Sequence, residues 1–447
     1  MAHLTTRSGY QALVERLNRF PQGAPPSELL YKILALLVDE REAALVAQLP
    51  IRPFPVAEAA RRWKMGEAEA ARVLDALASR AVLLDVEDDR GRRSYVLPPP
   101  MAGFFEFAMM RVRGDLDQKA LSELFYQYLN VEDAFVRDLF ATGETQLGRV
   151  FVDETALPAT PSLEVMDYER ATEVVATASH RAVGLCYCRH KMQHLDRACA
   201  APMDICLTFN GPAESLARHG NARAIDQAEA MDLLQMARER RLVQFGENVR
   251  DRVGFICNCC GCCCEAMIAA RRFGFLHPVH TTSWIAEVDD AQCNGCGKCV
   301  DACPVEAMTM VSANDPRHPK LKRAKLDANL CLGCGVCTHT CVKGGLHLAP
   351  RAERVIPPET SAHRVVTMAI ERGKLQHLLF DDRALLSHRA MAAILAVILR
   401  LPPVKQRLAN RQLRSRYVET LLASAAKRKR PGRAPASPAE PPPQVLH

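Results

Sequence analysis

The chain has 447 residues, 48% hydrophobic and 24% charged, and a formal charge of +7. This composition excludes a disordered or fibrous chain and suffices for about three domains of roughly 150 residues each. It also carries eighteen cysteines, yet shows neither a secretory leader nor the about 20 consecutive apolar residues a membrane span needs, which points away from a disulfide scaffold and towards a reducing cytoplasm.

Residues 1–26 are polar, broken by Arg7, Glu15, Arg16 and Arg19, and read as an N-terminal arm. From Ser27 to Gln48, Leu29, Leu30, Ile33, Leu34, Leu37 and Val38 recur at helical spacing behind a candidate N-cap, and Pro50, Pro53 and Pro55 stop the helix. A helix over Val56–Trp63, a turn at Lys64–Gly66, a longer helix over Glu67–Arg80 and a hairpin over Val82–Leu97 follow. Helix, helix, turn, helix, hairpin is the order of a winged helix-turn-helix, and residues 27–100 resemble that superfamily in pattern. A recognition helix reaches base edges with Arg, Lys, Asn or Gln. Here that position reads Glu67-Ala68-Glu69-Ala70, whose charges would face phosphates, so despite Arg61, Arg62, Lys64 and Arg72 the expectation is a docking or dimerisation domain and not a DNA reader.

Residues 101–161 form a helical, aromatic-rich linker region. Phe104, Phe105, Phe107, Phe125, Tyr126, Tyr128, Phe135 and Phe140 are expected to pack as core and not to cradle a flat cofactor. Arg149–Pro161 reads as an extended connection.

Residues 162–283 hold ten cysteines: Cys186, Cys188, Cys199, Cys206, Cys257, Cys259, Cys260, Cys262, Cys263 and Cys264. Six within eight positions cannot all face a core on a helix or a strand, and crowded thiolates repel unless a cation neutralises them. A metal centre is therefore expected. Cys186, Cys188, Cys199 and Cys206 read as one four-thiolate set and the Cys257–Cys264 run as a source of a second. Ligand softness favours an additional iron-sulfur cluster, with zinc the lesser alternative. Val183-Gly-Leu-Cys-Tyr-Cys188 and Val253-Gly-Phe-Ile-Cys-Asn-Cys259 share a pattern, as in a weak internal duplication, and an amphipathic helix over Ala228–Val243 separates them. His190 and His194 are further candidate ligands, and Arg189 a candidate to stabilise a thiolate.

Residues 284–350 contain Cys293-x2-Cys296-x2-Cys299-x3-Cys303-Pro304 and a second copy, Cys331-x2-Cys334-x2-Cys337-x3-Cys341. Three thiolates at this spacing wrap three corners of an iron-sulfur cube while the fourth points to another cube. The stretch closely resembles the two-cluster bacterial-type [4Fe-4S] ferredoxins. The resemblance implies two clusters, one held by Cys293, Cys296, Cys299 and Cys341, the other by Cys331, Cys334, Cys337 and Cys303. Gly295, Gly297, Gly333 and Gly335 suit loops that wrap a cluster, and Val342 departs from the family by standing where a proline is usual. The upstream Cys-rich segments are similar to those of uncharacterised bacterial iron-sulfur proteins, and Cys259-Cys260-Gly261 shares its Cys-Cys-Gly with heterodisulfide reductase motifs without their longer spacing.

Residues 351–426 read as a helical C-terminal region, with helices at His363–His377, Arg383–Leu401 and Val404–Ala426 and basic residues Lys405, Arg407, Arg411, Arg414 and Arg416. Residues 427–447 are a basic, Pro- and Ala-rich tail of disordered composition. That end suits an acidic redox partner or an anionic surface.

The fold class is thus α+β and multidomain: a winged-helix-like N-terminal domain, a Cys-rich α/β middle domain, a ferredoxin-like domain for two [4Fe-4S] clusters and a helical C-terminus. No nucleotide-binding glycine motif is present, and no catalytic residue announces itself. The expected function is electron transfer as a subunit or accessory of an oxidoreductase. A redox-responsive DNA-binding regulator and a thiol- or disulfide-reducing iron-sulfur enzyme are the alternatives.

Overall fold

A computed structural model describes residues 8–87, 90–157, 166–274 and 278–379. The N-terminal region opens with helix α1 (Gly9–Leu17), set within the polar arm by a capping box between Ser8 and Gln11. The single helix expected over residues 27–48 is two, α2 (Glu28–Leu37) and α3 (Glu40–Val46), because Asp39 caps a new helix through its own box with Glu42. Helices α4 (Val56–Trp63) and α5 (Glu67–Ser79) and the hairpin of β1 (Leu84–Glu87) and β2 (Arg93–Val96) then follow in the expected order. Phe54 bridges to Tyr95 at the edge of that hairpin, and the Tyr95 hydroxyl donates to Asp75 of α5 at 2.6 Å.

Helices α6 (Phe105–Phe107), α7 (Gln118–Tyr126) and α8 (Ala134–Ala141) carry the aromatic stripe. Its rings pack on one another, Phe105 against Phe125 and Phe135, and Tyr128 against Phe135, with centroids 5.1 to 6.1 Å apart. These four side chains are almost wholly buried, so the stripe is core, as its composition leads one to expect.

The middle region adds β3 (Gly148–Val150), α9 (Ala171–Thr177), β4 (Arg181–Leu185), α10 (Tyr187–His194), β5 (Asp204–Phe209), α11 (Asn210–Arg218), β6 (Arg223–Ala224), α12 (Gln227–Glu239), β7 (Val243–Glu247), β8 (Phe255–Cys259) and α13 (Glu265–Arg272). Its strands form one six-stranded antiparallel sheet in the order β3-β7-β8-β5-β4-β6. After β4 the chain passes straight into α10, with Cys186 at the N-cap position. The helix expected to reach Val243 ends at Glu239, and Val243 begins a buried strand.

Beyond it, β9 (Trp284–Val288) pairs with β12 (Leu346–Pro350), and β10 (Met308–Ser312) with β11 (Lys322–Leu326), around the short helix α14 (Lys298–Ala302). The C-terminal helix expected over His363–His377 is broken into α15 (Ser361–Glu371) and α16 (Leu375–Leu379) by Gly373, whose φ of +63° a helix does not accommodate. The expected helices at 383–401 and 404–426 and the tail lie outside the described residues. Among the described residues no helix is long and apolar enough to cross a membrane.

The N-terminal hairpin is fastened to the Cys-rich region. Asp85 of β1 is fully buried and accepts from Ser215 Oγ at 2.7 Å and Arg218 at 2.7 Å, with His219 Nε2 at 3.1 Å, all from α11 or its C-terminal cap. Removing one partner of a buried charge network leaves the others unpaired. Asp85→Ala is therefore expected to destabilise the chain by about 3 kcal/mol, read as a lowered thermal unfolding midpoint under anaerobic conditions, with iron content unchanged.

Candidate metal centres

The eight cysteines of the C-terminal repeat surround two small cavities of about 20 Å³ each. One is lined by Cys293, Cys296, Cys299 and Cys341, the other by Cys303, Cys331, Cys334 and Cys337. The fourth cysteine of each run thus reaches the opposite cavity, because β9–β12 and β10–β11 fold the two halves across each other. Backbone N–H groups point at the thiols: Ala324 at Cys293 Sγ (3.4 Å) and Ala307 at Cys303 Sγ (3.2 Å). Gly295 and Gly333 both have φ near +71°, and a Cβ on Gly333 would stand 2.1 Å from the Trp284 carbonyl oxygen. Four thiols around a close cradle that tolerates no side chain between them fit a [4Fe-4S] cluster.

The two sets differ in exposure. Cys296 is exposed, whereas Cys331 and Cys337 are buried. The second loop is closed in by the rest of the chain: Asp153 N–H donates to the Cys334 carbonyl, Asp153 pairs with His339 at 2.8 Å, Thr282 Oγ1 donates to the Gly333 carbonyl and Arg351 to the Cys331 carbonyl at 2.7 Å.

The ten middle-region thiols divide differently from the sequence grouping. Cys199 does not join Cys186, Cys188 and Cys206. It lies with Cys260, Cys262 and Cys263, and these four sulfurs are all within 4.8 Å of one another. The remaining six line one larger cavity of about 220 Å³, and Cys260 also reaches its wall, where the two sets adjoin. The register of β5 on β8, with Leu207 opposite Ile256, brings Cys206 beside Cys257, their sulfurs 3.7 Å apart. Cys257 and Cys259 share a face of β8 by strand alternation. Cys259 and Cys264 are 3.2 Å apart, and Cys188 hydrogen-bonds both Cys264 and Cys186. The six form a string, 206, 257, 259, 264, 188 and 186, along the cavity wall.

Cys186 and Cys264 are the N-caps of α10 and α13. Hydrogen bonding with Cys188 and Cys259, and then with the Met267 and Ala266 amides of the helix start, holds Cys264 well below the ordinary thiol range. Hydrogen bonding among the thiols, and after it burial, pushes Cys188 and Cys206 well above that range. Six thiols cannot all carry charge there unaided, and a bound cation removes that conflict. A thiol donor set of this kind suits iron-sulfur or zinc chemistry.

Buried charges brace the site. Lys191 of α10 pairs with Glu265 of α13, and Asn130 accepts from Lys191 at 3.0 Å while donating to Glu265 at 2.8 Å. Arg189 is fully buried and donates to the carbonyls of Pro202 at 2.7 Å and Asn258 at 2.6 Å. Its two terminal nitrogens bind backbone, and its charge stands beside Cys186 and Cys260 and helps to lower both thiols, in keeping with the expected role of a thiolate partner. His190 donates to the Met109 carbonyl at 2.7 Å, so its Nδ1 is taken up by backbone, and its ring packs at a tilt against His194.

Glu106 was not legible as a site residue, although a carboxylate between Phe105 and Phe107 is itself a signal. It lines the thiol cavity with Phe107, Met110 and Phe140. Burial, and then negative charge at Cys264 and Cys186, pushes its carboxyl up to about 8.

These thiol sets define a metal-binding protein of the iron-sulfur kind. Residues 292–344 match the family model of the 4Fe-4S dicluster domain, so a ferredoxin-type 4Fe-4S region is present in this chain. No curated protein and no solved structure matches the chain.

Gly333→Ala is expected to lower bound iron by about four per chain, one cube, in anaerobically purified protein. An exposed control such as Gly66→Ala, where an added Cβ meets nothing within 4 Å, is expected to leave it unchanged.

Proposed function

We propose that this chain is an electron-transfer subunit or accessory of a larger oxidoreductase, with two [4Fe-4S] clusters in the C-terminal repeat and a further iron-sulfur centre on the six-thiol cavity. In this reading Cys293, Cys296, Cys299 and Cys341 hold the outer cluster, and Cys303, Cys331, Cys334 and Cys337 the inner one. A [4Fe-4S] cluster supplies one-electron steps at a potential set by hydrogen bonds and exposure. The exposed Cys296 side is where a redox partner docks. Asp153, Thr282 and Arg351 hold the inner loop against the body of the chain and keep water from its thiols.

The observation that carries this reading is the contact between Gly261 and Pro304. A Cβ on Gly261 would stand 2.6 Å from the Pro304 carbonyl oxygen and 3.0 Å from its Cα. Pro304 follows Cys303, an inner-set thiol, and Gly261 lies between Cys259 and Cys264 of the cavity string. The two thiol systems therefore meet backbone to backbone, with no side chain between them at that point.

A second reading, thiol or disulfide reduction at the cavity, has its own support. The cavity continues past the thiols onto Leu84, Met101, Phe107 and Met110, with Glu106 among them, which offers room for a small apolar-faced substrate. The regulator reading has less: α5 opens with Glu67 and Glu69, and the adjacent winged-helix-like hairpin is held to α11 through Asp85. A cytoplasmic location and an acidic partner for the basic C-terminus belong to the same proposal.

Iron and acid-labile sulfide per chain test it. About twelve iron, four per cube, are expected in anaerobically purified protein. Replacing Cys206 and Cys257 together by Ser should remove about four and leave the paired ferredoxin EPR signal intact. Eight iron in both proteins would remove the third centre from this account.

A further inference from the structure

We propose that Cys199, Cys260, Cys262 and Cys263 bind one zinc ion in a tetrahedral four-thiolate site, distinct in its ligands from the iron-sulfur centres and adjoining the six-thiol cavity at Cys260. Zinc holds thiolates at about 2.3 Å, which puts tetrahedral sulfurs about 3.8 Å from one another. Here Cys199 and Cys260 are 3.6 Å apart, Cys262 and Cys263 are 3.6 Å apart, and no pair of the four exceeds 4.8 Å. On a cube each thiolate binds its own iron, so the sulfurs stand farther apart by the spacing between irons. Among the described residues this is the one set of three or more metal-binding side chains gathered so closely, and the eight thiols of the 4Fe-4S dicluster region form no such knot.

The chain prepares this site without the ion. Arg189 ties Pro202 to Asn258, and these residues lie three positions after Cys199 and two before Cys260, so one buried guanidinium holds the two ligand-bearing segments together. Ala201 and Cys260 also pack on the same small core as Ile205 and Leu242. Cys262 is exposed while Cys263 is buried, so the site sits at the surface end of the thiol array with one side open for metal loading. Three ligands from a four-residue turn and one from a distant loop close a separation of 61 positions between Cys199 and Cys260.

Zinc does not change oxidation state, and its task here is mechanical. The turn it clasps includes Gly261, the residue seated on Pro304. A zinc ion at this point fixes the turn and, through it, the spacing between the inner ferredoxin thiols and the six-thiol cavity.

The test uses the full chain purified anaerobically from cells supplied with both metals. Zinc and iron per chain are measured for the wild type and for Cys199→Ser/Cys262→Ser. One zinc in the wild type, lost in the variant with iron unchanged, is expected. Zinc K-edge absorption of the wild type alone, which needs no folded variant, should show four sulfurs at about 2.3 Å. A wild type without zinc, a zinc shell of nitrogen or oxygen, or a variant that loses iron instead, would each overturn the assignment.

Discussion

Negative charge crowded in a small volume is the constraint on which this chain is built. Ten thiols converge around the central strands β5 and β8 of a six-stranded sheet, and the ionised forms that bind metal are the forms that repel. Helix N-termini at Cys186 and Cys264 and the buried Arg189 supply part of the positive field. In the proposed assignment bound cations supply the remainder, which would couple folding of the middle region to metal loading, as in other sites whose ligands are useful only when deprotonated.

The buried polar groups are placed to limit what the metal has to organise. Lys191, Glu265 and Asn130 lock α10 to α13, and those helices begin at the thiols of the cavity. A buried ion pair contributes little net stability once desolvation is counted. Its value here is positional: the pair ties α10 to α13 near the ends that carry Cys188 and Cys264. The Asp153–His339 and Thr282 contacts do the same for the second ferredoxin loop.

The ferredoxin-type repeat was legible in the sequence because its ligands are local: three cysteines of each run lie on one loop, and spacing alone sets their geometry. The aromatic stripe was legible as core for a similar reason, since burial preference needs no partner. The grouping of the middle thiols was not. Cys199 reaches Cys260, and Cys206 reaches Cys257, through a strand register that appears nowhere in the spacing of residues along the chain. The break at Val38–Asp39 was masked by an unbroken apolar period, and only the Asp39–Glu42 box marks it. Strand β7 was hidden behind α12 because Leu242 and Val243 continue the apolar pattern of the helix past its end.

The exchange of the fourth cysteine between the two halves of the repeat bears on biogenesis. Synthesis runs from the N-terminus, so the outer thiol set is incomplete until Cys341 has been made, and the inner set until Cys337. The middle region by then has all ten of its thiols. The order of synthesis thereby sets an order of completion: the middle thiols come first, the inner ferredoxin set next, and the outer set last, when Cys341 emerges.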